Sequence, residues 1–181
     1  MFAFEGDTEN DVRKRYSIRP VLQFLNDLEG LKFIHRDIGT AGELEFYVKK
    51  WTQARYKKYQ VGYFSFHGSP GELCFADNRR KSISLDELAD WLAGKARDRI
   101  IHFGACSVMN IDDRDLRDFR KLTEAAAVTG YREDVQWREA PAFEVLMLGA
   151  LCDYQRISAA EKYLRTNFGE LWDRLGVKII R

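Results

Sequence analysis

The feature that most constrains the fold is a pair of short runs, Val61–Phe66 and Arg99–Phe103, apolar at nearly every position. A strand with one wet face alternates apolar and polar side chains. A run without that alternation suits a strand covered on both faces, as in a parallel sheet. Residues 1–5, 31–36, 126–131 and 177–180 read as further strands, and helical stretches separate most of them. Strands alternating with helices imply right-handed βαβ units. The expected class is therefore α/β, a mainly parallel sheet of about six strands with helices on both faces.

Local signals place the helices. Pro20 opens one with Val21, Leu22, Leu25 and Leu28 on a single face, and Gly30 stops it. Three stretches, Thr40-Ala-Gly-Glu43, Ser84-Leu-Asp-Glu87 and Ser158-Ala-Ala-Glu161, read as capping boxes. Residues 112–126 read as a helix with Leu116, Phe119 and Leu122 inward, and residues 139–154 as a strongly apolar helix. His67-Gly-Ser-Pro-Gly71 reads as a loop, followed by a small hairpin of residues 72–76 with 82–84.

Length and composition narrow the class further. A chain of 181 residues is expected to form one domain, 1–181. Its 29 basic and 28 acidic residues leave a formal charge of +1, which offers no electrostatic case for nucleic acid. Three cysteines at 74, 106 and 152 do not make a disulfide framework and fit a reducing compartment. No apolar run reaches membrane-spanning length, and the first residues lack the order of a signal peptide. The expected location is cytoplasmic, away from membranes. No glycine-rich phosphate loop is visible, so no cofactor is expected.

The two constraining runs end in His67-Gly68 and in Gly104-Ala-Cys106-Ser107, with a spacing of 106 − 67 = 39 residues. Sites in parallel sheets form beyond the carboxyl ends of the strands. If these strands are neighbours, their tips lie ~5 Å apart and the two side chains can meet. An imidazole beside a thiol can act as its base or stabilise its anion. The backbone N–H groups of Gly68 and Cys106 are candidates for an oxyanion hole. Taken singly, a cysteine is usually packing, so Cys74 and Cys152 are read as core. His102 is mid-strand and is read as buried, supporting the site from below, and His35 as structural or surface. His67, Cys74, His102 and Cys106 offer zinc-ligand types but lack tight paired spacing, so no metal site is expected.

Tyr63-Phe-Ser-Phe-His67-Gly68 and Ile100-Ile-His-Phe-Gly-Ala-Cys106-Ser107 resemble the His-Gly and Ala-Cys strand ends of the caspase-like clan of cysteine peptidases. That clan includes caspases, metacaspases, separases, clostripain, gingipains and CHAT domains. The whole chain also resembles a small bacterial family of about this length. The resemblance implies a caspase-like three-layer sandwich, with His67 as general base, Cys106 as nucleophile and the Gly68 and Cys106 N–H groups as oxyanion donors. It implies a protein or peptide substrate and a regulatory protein partner. The pattern departs from caspases at Gly104-Ala-Cys106-Ser-Val108, so cleavage after aspartate is not implied. The clan's loops after the first and fifth strands help line the substrate pocket. Here they carry Asp134, then Asp7 and Glu5, acidic groups that would favour Arg or Lys in the substrate. The alternative from another class is a catalytically silent caspase-like module that acts by protein–protein interaction.

Overall fold

The computed structural model describes residues 1–6, 13, 16–76, 81–136 and 139–181. Its main sheet contains β1 (Phe2–Gly6), β2 (Ile34–Ile38), β3 (Val61–Ser65), β7 (Ile100–Phe103), β8 (Ala127–Tyr131) and β9 (Val177–Ile180). A second sheet of β4 (His67–Ser69), β5 (Glu72–Cys74) and β6 (Ser82–Ser84) lies between them in sequence. The strand order is β2-β1-β3-β7-β8-β9, parallel throughout except for the antiparallel pairing of β8 with β9. The expected mainly parallel six-stranded α/β sheet is what forms.

Six helices cover the sheet: α1 (Arg19–Glu29), α2 (Ala41–Trp51), α3 (Leu85–Leu92), α4 (Asp113–Thr123), α5 (Glu139–Asp153) and α6 (Ile157–Arg174). Side chains alternate across a strand, so each strand feeds two cores. Phe2, Phe4, Phe64, Ile101 and Phe103 pack with Leu44 and Trp51 of α2, Leu88 of α3 and Phe119 of α4. Ala3, Tyr63 and Ile100 pack with Leu22 and Leu25 of α1, Phe143 and Met147 of α5 and Trp172 of α6. Burying one such side chain is worth about 1.5–3 kcal/mol, which is why the strand runs cannot afford polar interruptions. No helix among the described residues is long and apolar enough to cross a membrane.

Several local expectations change. Residues 31–33 are not strand: Leu31 N–H and its carbonyl are taken by the end of α1, through Leu25 O and Asn26 Nδ2, so β2 starts at Ile34. Thr40 forms the full capping box with Glu43, and the Ser84 hydroxyl accepts from Glu87 N–H. The Ser158 box does not form, because α6 begins one residue earlier with Arg156 at its cap. Leu28 and Leu122 face outward, at 64% and 49% exposure, since helical rotation carries them off the buried stripe. The stretch read as a loop, residues 67–71, supplies a third strand to the expected hairpin.

The topology fixes where a site can form. The chain leaves β1 for β2 on one side, then returns for β3 on the other. Such a reversal opens a crevice at the carboxyl ends of the two central strands.

Candidate active site

The β3–β7 register pairs Phe64 with Phe103. His67 and Cys106 each lie three residues beyond that pair, 67 − 64 = 3 and 106 − 103 = 3, at the ends of adjacent strands. The pairing continues past the strands, with Gly104 N–H donating to Phe64 O at 2.9 Å. His67 is exposed and Cys106 half-buried. Both line one cleft at the topological crevice, together with Glu5, Tyr63, Ser65, Val135 and Glu144. Its volume is about 50 Å³, room for a water-sized group and too little for an arginine side chain.

Close backbone approach explains the flanking glycines. A Cβ on Gly68 would lie 2.4 Å from the Cys106 carbonyl oxygen and 2.5 Å from Val108 Cγ2. A Cβ on Gly104 would meet the Tyr63 ring at 2.3 Å. Only a residue without a side chain lets β4 and the Cys106 turn sit this close. Ser107 holds a left-handed conformation, φ 47°, uncommon outside glycine and a mark of a tightly determined turn.

The segment after β8 runs alongside that turn. Met109 N–H donates to Tyr131 O at 3.0 Å, Ser107 N–H to Glu133 O at 3.0 Å and the Cys106 thiol to Val135 O at 3.6 Å. Arg132 anchors the same segment to Asp113 at the start of α4, where Lys178 also pairs. A thiol that donates to a carbonyl carries its proton, so the nucleophile is held here in its neutral form.

A buried polar network lies beneath the cleft. His102, fully buried, sets Nδ1 2.7 Å from Thr129 Oγ1 and Nε2 2.8 Å from Glu144 Oε2. Tyr131 donates its hydroxyl to Glu144 Oε1 at 2.7 Å. The Tyr63 ring stacks on His102, with centroids 5.4 Å apart. Burial pushes the Tyr131 phenol well above its ordinary value, and the Glu144 charge adds to it. Burial does the same to Tyr63, with the Glu144 charge adding and a hydrogen bond with Ser65 opposing.

The acidic residues read from the sequence are placed differently from one another. Glu5 is buried at the cleft wall, but its carboxylate already accepts from Ser17 Oγ at 2.7 Å and Ile18 N–H at 2.7 Å and meets His35 Nε2 at 2.5 Å. Asp134 is exposed and is not among the residues lining the cleft. Asp7 lies outside the described residues. His35 is structural in this sense, a partner for Glu5. Cys74 is half-buried, not core, and stands directly across β4–β5 from His67. Cys152 is an exposed residue rather than core. Among the described residues, the His, Cys, Asp and Glu atoms that converge within 4.8 Å are those of Glu5, His35 and Asp37, not the four zinc-type ligands weighed from the sequence. Sequence reasoning missed Val135 and Glu144. The one available signal for Glu144 was a lone carboxylate within the apolar stretch of α5.

The comparisons with known proteins follow this geometry. A secreted C11 cysteine protease from Bacteroides thetaiotaomicron, solved with an irreversible peptide inhibitor, is similar in structure with a TM-score of 0.58 at 9% identity. The match covers 96% of this chain and 58% of that one, so the chain spans under two thirds of the protease's length. Caspase-1 from Spodoptera frugiperda is similar with a TM-score of 0.57 at 14% identity, over 99% of this chain and 84% of that one. The fold is therefore caspase-like. No curated protein matches the sequence significantly. The model of a family of unknown function, DUF6642, matches residues 1–180.

Proposed function

We propose that this chain, which belongs to the DUF6642 family, is a cysteine endopeptidase with a His67–Cys106 dyad. The carrying observation is that both side chains end adjacent parallel strands and line one cleft. The Cys106 thiol gives its proton to the His67 imidazole, and its sulfur bonds to the substrate carbonyl carbon. The N–H groups of Gly68 and Cys106 hold the resulting oxyanion. The C–N bond then breaks, the amine leaves with the proton from His67, and a thioester remains. Water, deprotonated by His67, hydrolyses the thioester and frees the thiol. The chemistry takes no cofactor or metal, and the peptidase is a single domain spanning 1–181.

A preference for Arg or Lys rests on the buried carboxylate of Glu5 in the cleft wall, with Asp134 on the adjoining segment. A basic side chain entering a cleft of about 50 Å³ requires residues 132–136 to shift. A substrate or a regulatory protein partner supplies that shift. The same narrowness and the Cys106–Val135 hydrogen bond favour a second reading, a silent module acting through a partner protein.

The test is a panel of peptides offering Arg, Lys, Asp or Leu before the bond to be cut, with wild type, Cys106→Ala and His67→Ala. Cleavage after Arg or Lys, reduced at least about a thousandfold in both variants, is expected from loss of nucleophile or base. Cleavage that survives Cys106→Ala rules the dyad out. A biological effect kept by Cys106→Ala points to the silent module.

A further inference from the structure

The wall that α5 contributes to the cleft is fastened from beneath by a group the proposed chemistry does not use. Ala140, Pro141 and Glu144 are spaced 144 − 140 = 4 and 144 − 141 = 3, so they share one helix face, and all three line the cleft. The Glu144 carboxylate spends one oxygen on the Tyr131 hydroxyl at 2.7 Å and the other on His102 Nε2 at 2.8 Å. His102 is tied in turn to Thr129 in β8. Tyr131 is the last residue of β8, and the segment that follows it carries the Val135 carbonyl. One buried carboxylate therefore joins both feet of the connection that reaches over Cys106. A leucine at this position would pack readily among Phe143, Met147 and Leu148, so core filling does not require a carboxylate there.

We propose that Glu144 is a positioning residue for Cys106: by joining Tyr131 and His102 to α5 it sets where the Val135 carbonyl meets the thiol. Its catalytic consequence rests on the peptidase reading, but the clamp itself is measurable without substrate. Glu144→Gln preserves the clamp in shape. The amide oxygen still accepts from Tyr131, and the amide N–H₂ donates to a His102 whose proton has moved to Nδ1, facing Thr129. Glu144→Ala and Tyr131→Phe break it.

The experiment is site-resolved iodoacetamide labelling of the native protein, followed by mass spectrometry, for wild type and these three variants. Cys74 and Cys152 report general loosening. Tyr131→Phe and Glu144→Ala are expected to speed Cys106 labelling about tenfold, the effect of losing one buried hydrogen bond, with the other two cysteines unchanged. Glu144→Gln is expected to stay within about twofold of wild type. Cys106 rates within about twofold of wild type in both clamp-breaking variants overturn the proposal, as does a rise shared by all three cysteines. If Glu144→Ala does not fold, Tyr131→Phe, which deletes a single hydroxyl, decides alone. Peptide cleavage in the same samples separates the two claims. A clamp response without any cleavage sinks the peptidase reading and leaves the clamp standing, and cleavage without a clamp response does the reverse.

Discussion

Gly68 sits where two demands on one residue coincide: its backbone must carry an N–H toward the cleft, and its α-carbon must pass beside the Cys106 carbonyl. An added Cβ would stand 2.4 Å from that carbonyl oxygen, a backbone atom that cannot swing aside. Gly68→Ala is therefore expected to displace the Cys106 turn, destabilising the protein by about 1–3 kcal/mol and abolishing cleavage, as thermal melting and a peptide assay would show. The three cysteines differ by environment rather than by type. Burial pushes the Cys152 thiol up to about 11, opposed by the Met1 amine and aided by the Asp153 carboxylate. Its thiolate at pH 8 is then about a hundredfold scarcer than that of an ordinary thiol, so its alkylation should be slow at pH 8 and climb until about pH 11. Alkylation of Cys152 at an ordinary thiol's rate would contradict this.

At the scale of elements, caps and strand ends share the work. Thr40 closes α2 with a reciprocal pair of hydrogen bonds to Glu43, so Thr40→Ala should cost about 1 kcal/mol in chemical denaturation, without altering Cys106 reactivity. The buried tyrosines make a prediction of opposite character, one about alkali. An unfolded tyrosine ionises near pH 10, whereas Tyr63 and Tyr131 keep their protons well above that. Stability is thus whole below about pH 10 and falls as pH rises further, by up to about 1.4 kcal/mol per unit for each tyrosine. Tyr131→Phe should flatten that fall in denaturant titrations between pH 10 and 11, and an unchanged slope would contradict it. Elements governed by local chemistry were legible in the sequence. Thr40-Ala-Gly-Glu43 declared its cap, and Val61–Ser65 declared a doubly covered strand because none of its positions faces water. The Ser158 pattern misled because a capping box needs its serine outside the helix, and the chain enters α6 at Ile157. Leu31 misled because its buried side chain belongs to the end of α1 rather than to β2.

The whole molecule brings together what no local pattern could. The ends of β3 and β7 meet because the crossovers make them neighbours, and strand alternation with helices made that expectation reachable from sequence. Glu144 reaches His102 across 42 residues and Tyr131 across 13, contacts set by how α5 packs on the sheet, so the network beneath the site was not readable in advance. The same holds for Val135, whose carbonyl matters only because β8 exits beside the Cys106 turn. The central claim is that His67 activates Cys106. It is tested most directly by the alkylation rate of Cys106 at mildly acid and neutral pH, in wild type and His67→Ala, with Cys152 as the internal reference. A working dyad requires Cys106 to label faster than Cys152 at both pH values, and to slow at least about tenfold without His67. Cys106 labelling that is slow at both pH values and indifferent to His67 would contradict it.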